Sequence, residues 1–349
     1  MTAIRAIHRL EPRSDAPGFT HVSVVETGQG FEVEPGETLL AAALRAGLRL
    51  PADCKSGFCG ACRLRVVEGE VFHPEDLPGL AEEERLCGFA LGCQARALTR
   101  LSIEAELLPF DLPEPAICEA VVLRRETPAP GLTRLWLSLP GAAAFRPGQY
   151  VNILMEDGAK RPFSIATLPG RNEIELQIRG IPGGRFTEGR LPALVPGDRL
   201  SLEMPQGIFH LHPEDFRPVV FAATGTGIAP VAALLAELAQ EPEEAPPVSV
   251  YWGMREEGEL YLLEELAALG AGIDGFELVP VLSRPGPDWQ GRHGHVQQAV
   301  LEDLPDLAEH ALYLCGNANM VAQARRLFLA AGASANHIYA DSFTFAHGG

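Results

Sequence analysis

The chain has 349 residues, 46% of them hydrophobic and 21% charged, which exceeds what one hydrophobic core serves and predicts two or three globular domains. With 46 acidic against 28 basic residues the formal net charge is −18, which argues against nucleic acid or an anionic membrane surface as a partner, since both demand a basic footprint. The N-terminal MTAIRAIHRLEPRSDAPG lacks the roughly 7–15-residue apolar run of a secretory leader, and no stretch approaches the roughly 20 apolar residues that span a bilayer, so a cytoplasmic protein is expected.

Residues 20–34 alternate in a strand-like manner around Gly28-Gln29-Gly30 and predict a hairpin, preceded by an N-terminal extension over 1–18. Thr38 caps an Ala/Leu-rich helix from Leu39 to Ala46 that stops at Gly47. Then comes the most informative stretch of the chain, Cys54-Lys55-Ser56-Gly57-Phe58-Cys59-Gly60-Ala61-Cys62, with Cys93 after a thirty-residue gap. C-x4-C-x2-C with a distant fourth cysteine suits a [2Fe–2S] cluster, where two irons and two sulfides need four thiolates and backbone N–H groups close to the sulfurs. Gly57, Gly60 and Ala61 admit such a close wrap of main chain. A disulfide pair or a zinc knuckle are the competing readings; zinc prefers two paired C-x2-C units, and only one is present. A strand over Arg63 to Val67 with Val71, a helix over Glu82 to Ala90 and a closing strand over Leu101 to Glu106 follow.

This order of strand pair, helix, cysteine loop and strand over 19–106 resembles the β-grasp fold (α+β) of plant-type ferredoxins. Leu91-Gly92-Cys93-Gln94 matches that family's last ligand motif, so the resemblance implies Cys54, Cys59, Cys62 and Cys93 as ligands and leaves Cys87 as the one ambiguity.

Residues 107–116 carry three prolines in Pro109 to Pro115 and read as a semi-extended linker. Over 117–214, short alternating runs at 120–124, 133–138, 150–155, 173–179 and 200–204, punctuated by Gly/Pro turns, predict a small antiparallel barrel. Within it, Arg161-Pro162-Phe163-Ser164 offers a guanidinium fork for phosphate, an aromatic face for a ring system and a hydroxyl for a ring nitrogen. Gly183-Gly184-Arg185-Phe186-Thr187 offers backbone N–H groups and a hydroxyl to a pyrophosphate. From 215 to 349 buried strands alternate with helices: Val219 to Ala223, then Thr224-Gly225-Thr226-Gly227-Ile228-Ala229-Pro230, then an amphipathic helix from Val231 to Leu238. Further strands at 248–252, 276–282 and 311–315 predict a Rossmann-like parallel α/β sheet whose glycine loop and helix start accept a pyrophosphate. Cys315 closes the last of these strands. His210/His212 and His293/His295 lack further ligands nearby and are read as structural, as is Cys118.

With these motifs in this order, residues 117–349 resemble the ferredoxin–NADP reductase superfamily, and the whole resembles the reductase components of benzoate-dioxygenase-like and methane-monooxygenase-like systems. The resemblance implies flavin ligation by Arg161, Phe163, Ser164, Gly183, Gly184 and Thr187, and nicotinamide-nucleotide binding by Thr224, Gly225, Thr226, Gly227, Pro230 and Cys315. It implies FAD rather than FMN, which no residue decides. It places Cys315 beside the nicotinamide, Asp341 with Ser164 in proton exchange, and Phe343 or Phe345 over the flavin. Arg255, Arg284 and Arg292 are candidate cations for the nucleotide; NADH is favoured over NADPH because no Lys follows Ser283-Arg284. The implied activity is an oxidoreductase, a monomer, passing electrons from NAD(P)H through FAD and a [2Fe–2S] cluster to a one-electron acceptor protein, a terminal oxygenase, docking near Ser56 and Phe58. Reductases that serve deoxysugar dehydratases share the same motifs.

Overall fold

The computed structural model describes residues 7–8, 18–73, 77–108, 113–212 and 215–343. The chain forms two compact units, Met1–Leu112 and Pro113–Gly349.

In the first unit, five strands run in the order Gly30–Val33, Thr20–Val24, Leu101–Glu104, Arg63–Glu68, Phe89–Leu91. The opening hairpin is antiparallel, and Thr20–Val24 pairs in parallel with Leu101–Glu104, so the first and last strands lie side by side at the centre. Helix Leu39–Arg45 starts where the Thr38 hydroxyl accepts the Ala41 N–H and lays Leu39, Ala42 and Ala43 on the sheet's apolar face. Two expectations are corrected. The helix foreseen over 82–90 spans only Glu82–Leu86: Gly88 turns into the left-handed region (φ 88°), and Phe89–Leu91 become an edge strand against Arg63–Arg65. Val71 does not continue the strand leaving the cysteine loop, because Gly69 (φ 95°) breaks it; Val71–Phe72 pair instead with Arg96–Ala97.

The second unit holds a six-stranded antiparallel barrel and a parallel sheet. The barrel order is Lys160–Ser164, Tyr150–Leu154, Arg199–Gln206, Ala116–Ala129, Leu132–Ser138, Glu173–Arg179, and an Ile165–Leu176 bridge closes it. Strand Lys160–Ser164, which carries the Arg-Pro-Phe-Ser motif, escapes a pattern search because Pro162 interrupts its donors and its burial alternates weakly. The parallel sheet runs Arg292–His293, Glu277–Leu282, Val248–Met254, Val219–Thr224, Ala311–Asn317, Ile338–Phe343. Its first strand in sequence, Val219–Thr224, is flanked by the second and the fifth, so strand order reverses between Val219–Thr224 and Ala311–Asn317. Helix Ile228–Leu238 begins three residues before the expected start and is buried from Ile228 through Leu235; it fills the core rather than showing a wet face there. Pro230 is tolerated because first-turn N–H groups have no intrahelical acceptor. Among the described residues no helix is long and apolar enough to cross a membrane.

Candidate functional site

The four cysteines gather two by two. Cys62 Sγ and Cys93 Sγ lie 3.0 Å apart, and Cys54 Sγ accepts the Cys59 N–H at 3.3 Å. The loop reaches this arrangement through three left-handed residues, Lys55 (φ 54°), Gly57 (φ 79°) and Gly60 (φ 76°). A Cβ on Gly57 would stand 2.7 Å from Leu77 Cδ2, and one on Gly79 2.8 Å from the carbonyls of Gly57 and Phe58, so the loop is backed without slack. Gln94 Nε2 donates to the Lys55 carbonyl and tethers the loop to the segment carrying Cys93. The Ala61 N–H points at Cys59 Sγ (3.5 Å). A hydrogen bond from Cys59 leads the effects that hold Cys54 down to about 4, and one from Cys62 leads those that hold Cys93 to about 7. The same contacts with opposite sign, reinforced by burial, push Cys59 and Cys62 up. Two sulfur pairs, each beside backbone donors, fit two irons held by two thiolates each. Cys59, Cys62 and Cys93 are buried, Cys54 exposed; Cys87 is exposed at the end of Glu82–Leu86.

In the barrel, Ser164 is buried at the end of its strand opposite Tyr150, with Phe163 half-buried before it. The Phe163 ring packs at 5.5 Å on Phe186, a buried anchor that the sequence reading missed, which joins the two flavin motifs. The Arg161 guanidinium donates to the Lys160 carbonyl (3.0 Å). Gly183 is left-handed (φ 74°) and its N–H is taken by Glu188. Thr187 Oγ1 accepts the Ile181 N–H at 3.1 Å, so in this structure its hydroxyl shapes the Gly183–Gly184 turn.

At the reversal of strand order, the Gly225–Gly227 turn lies directly on Cys315–Gly316. A Cβ on Gly227 would sit 2.4 Å from the Cys315 carbonyl oxygen, and one on Gly316 2.4 Å from Thr224 Oγ1. Thr224 Oγ1 accepts the Asn317 N–H, and Trp252 Nε1 donates to the Gly225 carbonyl at 3.0 Å. The crevice outside the carboxyl ends of an open α/β sheet at such a switch point is where nucleotides bind. Cys315 is fully buried; burial first, then the neighbouring Asp341 carboxylate, push its thiol well up, so it is a neutral S–H. Asp341 is its register partner on the edge strand, and Phe343 packs on the same apolar cluster. Phe345 lies outside the described residues. The turn Gly225–Gly227 also lies against barrel strand Glu173–Arg179, whose Leu176 bridges Ile165 beside Ser164, so flavin motif and phosphate turn flank one strand.

Known proteins agree with this geometry. The 2Fe-2S iron-sulfur cluster binding domain family matches residues 23–98 and the oxidoreductase NAD-binding domain family residues 221–326. The aromatic O-demethylase reductase subunit of an Amycolatopsis species is 36% identical over 91% of this chain and 97% of its own length. The chain is an iron–sulfur flavoprotein reductase of the ferredoxin–NADP reductase superfamily. A CDP-6-deoxy-L-threo-D-glycero-4-hexulose-3-dehydrase reductase of Yersinia pestis is 32% identical over 93% of this reductase and 98% of its own chain. The crystal structure of the Amycolatopsis cytochrome P450 reductase GcoB superposes with a TM-score of 0.69 at 36% identity, covering 93% and 98% of the two chains.

The cofactors of the reductase are therefore a [2Fe–2S] cluster, FAD and NAD(P)H. Of the three candidate nucleotide cations, Arg292 is spoken for: its guanidinium pairs with Glu302 (3.3 Å) and with Asp303. Arg255 and Arg284 are exposed at the ends of adjacent strands, joined by the Arg284 N–H to the Arg255 carbonyl.

Proposed function

We propose that this reductase carries electrons from NADH to the oxygenase component of a multicomponent oxygenase, as a cytoplasmic monomer whose segments 19–106, 117–214 and 215–349 hold cluster, flavin and nucleotide. When bound, these groups would supply two-electron hydride chemistry at the nucleotide, conversion to single electrons at FAD and one-electron transfer at the cluster that Cys54, Cys59, Cys62 and Cys93 would hold. Arg161 holds flavin phosphate, Phe163 lies against the ring system and Ser164 offers its hydroxyl to a ring nitrogen. The turn at Gly183–Gly184, shaped by Thr187, lets the main chain approach the pyrophosphate. Thr224 to Gly227, with the first helical turn from Ile228 through Pro230, hold the dinucleotide's phosphates, and Arg255 and Arg284 attract its adenosine end. Cys315 would border the nicotinamide, Asp341 would exchange a proton with solvent together with Ser164, and Phe343 would shield the flavin ring.

The observation that carries the acceptor side is the exposure of Cys54, Lys55, Ser56 and Phe58 around otherwise buried sulfur pairs. One edge of the cluster loop is thereby open to a protein acceptor. The test is a split of acceptors. Cys93→Ser should abolish NADH-driven reduction of cytochrome c, which needs the cluster, and retain most ferricyanide reduction, which draws on the flavin. Equal loss of both would refute the proposed order of carriers. The similarity to the Yersinia pestis dehydrase reductase supports a second reading, a dehydratase partner. Turnover with a purified oxygenase component against a purified dehydratase separates the two.

A further inference from the structure

Strand Glu173–Arg179 is buried on both sides. Ile174, Leu176 and Ile178 fill the barrel, while Glu175 and Gln177, on the outer face, are each only 5% exposed. They are covered by the neighbouring parallel-sheet half and by Arg134. The Arg134 guanidinium grips both carboxylates of a pair drawn from the two halves: Nε and Nη2 donate to Glu175 at 2.6 and 3.0 Å, Nη1 and Nη2 to Glu265 at 2.5 and 2.9 Å. The Gln177 amide donates from Nε2 to Glu175 Oε1 (3.0 Å), and its own Oε1 accepts the Tyr261 O–H (2.8 Å). The Tyr261 ring stands edge-on to Trp252, whose indole N–H holds the Gly225 carbonyl of the phosphate turn. At the strand's end Arg179 reaches Glu259 (2.9 Å), and the other oxygen of that carboxylate accepts the Arg255 and Glu256 N–H groups.

Three of these links cross from the barrel to the segment assigned above to the nucleotide, Arg134 to Glu265, Gln177 to Tyr261 and Arg179 to Glu259, while the bonds of Glu175 to Arg134 and Gln177 brace the barrel side. The Arg134–Glu175 pair is buried and the Glu265 carboxylate half-exposed; such pairs contribute little net stability, because desolvation or solvent screening offsets their attraction, but their directional bonds fix geometry. We propose that Arg134, Glu175, Gln177 and Tyr261 are positioning residues that set the distance between flavin-binding and nicotinamide-binding halves, so that hydride transfer depends on them more than cofactor binding does. This rests on the electron-transfer reading above. A misplacement of about 1 Å costs a reaction up to roughly a hundredfold.

The test uses the full-length holo-protein with Tyr261→Phe, which deletes one hydroxyl, and Arg134→Lys, which keeps the charge but loses the planar fork. Anaerobic rapid mixing with saturating NADH should show flavin bleaching slowed at least tenfold in both, with FAD content intact and the NADH KM within twofold of wild type. Hydrogen–deuterium exchange should rise in Leu263–Gly270 and at Gly225–Gly227 and stay unchanged in Leu39–Arg45. Bleaching within twofold of wild type, a change confined to KM, or unchanged exchange in Tyr261→Phe overturns the proposal; if Arg134→Lys fails to fold, Tyr261→Phe decides alone. A wild-type protein that neither NADH nor NADPH bleaches refutes the electron-transfer reading instead, and the exchange measurement still decides whether the ladder couples the two halves.

Discussion

Two glycines of the phosphate turn serve different physical needs, and alanine separates them. Gly225 is left-handed (φ 59°) with open space where a Cβ would go, so Gly225→Ala meets only the backbone penalty of an L-residue there, about 1–2 kcal/mol. Gly227 has an ordinary helical φ of −60°, but its Cβ would stand 2.4 Å from the Cys315 carbonyl oxygen, 2.7 Å from its carbon and 2.9 Å from Gly316 Cα. Since real Cβ atoms essentially never come within 3.0 Å, the turn must lift by at least ~0.6 Å from a backbone that the central sheet holds rigid. Overpacking of this kind costs about 1–3 kcal/mol, and the lift separates the phosphate turn from Cys315. Urea unfolding of the holo-protein should therefore show a loss in both variants, with NADH affinity falling at least tenfold in Gly227→Ala and clearly less in Gly225→Ala. If Gly227→Ala unfolds within 0.5 kcal/mol of wild type and binds NADH normally, the close-approach argument is wrong.

Replacement of Cys87 by Ser should leave the amount and spectrum of bound cluster unchanged, whereas Cys62→Ser should eliminate it, as read by iron content and visible circular dichroism. Arg284→Gln should raise the KM for NADH several-fold, and Arg292→Gln should not, because Arg292 already answers Glu302 and Asp303. Burial alone would raise the Asp215 carboxyl, but hydrogen bonds from Arg217 and His337 outweigh it and hold it below its usual value of 3.8. The sign follows: the unfolded chain binds this proton first, so the contribution is complete above about pH 4 and disappears as acid protonates the folded carboxylate. Acid unfolding curves of wild type and Asp215→Asn should accordingly converge at low pH and separate at neutral pH.

Much of this molecule is legible from spacing, because its chemistry constrains residue type. Four thiolates on a loop of left-handed residues leave C-x4-C-x2-C in the sequence, and a strand, a glycine turn and a buried helix leave their apolar run before Thr224 and after Gly227. What escaped depends on partners distant in the chain. The alternation over 173–179 does not show that Glu175 and Gln177 meet Arg134 and Tyr261. The bond by which Thr187, expected to meet the flavin, also accepts the Ile181 N–H is set by the turn and not by spacing. Arg292, a candidate cation for the nucleotide, pairs with Glu302 and Asp303. Local breaks escaped as well: Gly88 reverses the chain and turns the last two residues of an expected helix, Phe89 and Ala90, into strand. The period-2 alternation of Glu-Ile-Glu-Leu-Gln-Ile-Arg was visible, but not that its polar side meets protein.

The most direct test of the account is low-temperature electron paramagnetic resonance of the pure holo-protein after anaerobic addition of NADH alone. The expected result is the signal of a reduced [2Fe–2S] cluster together with flavin bleaching, which requires hydride entry, splitting of the pair and transfer to the cluster within one chain. Flavin bleaching with no cluster signal would contradict it and leave a flavin reductase whose cluster is not on the path.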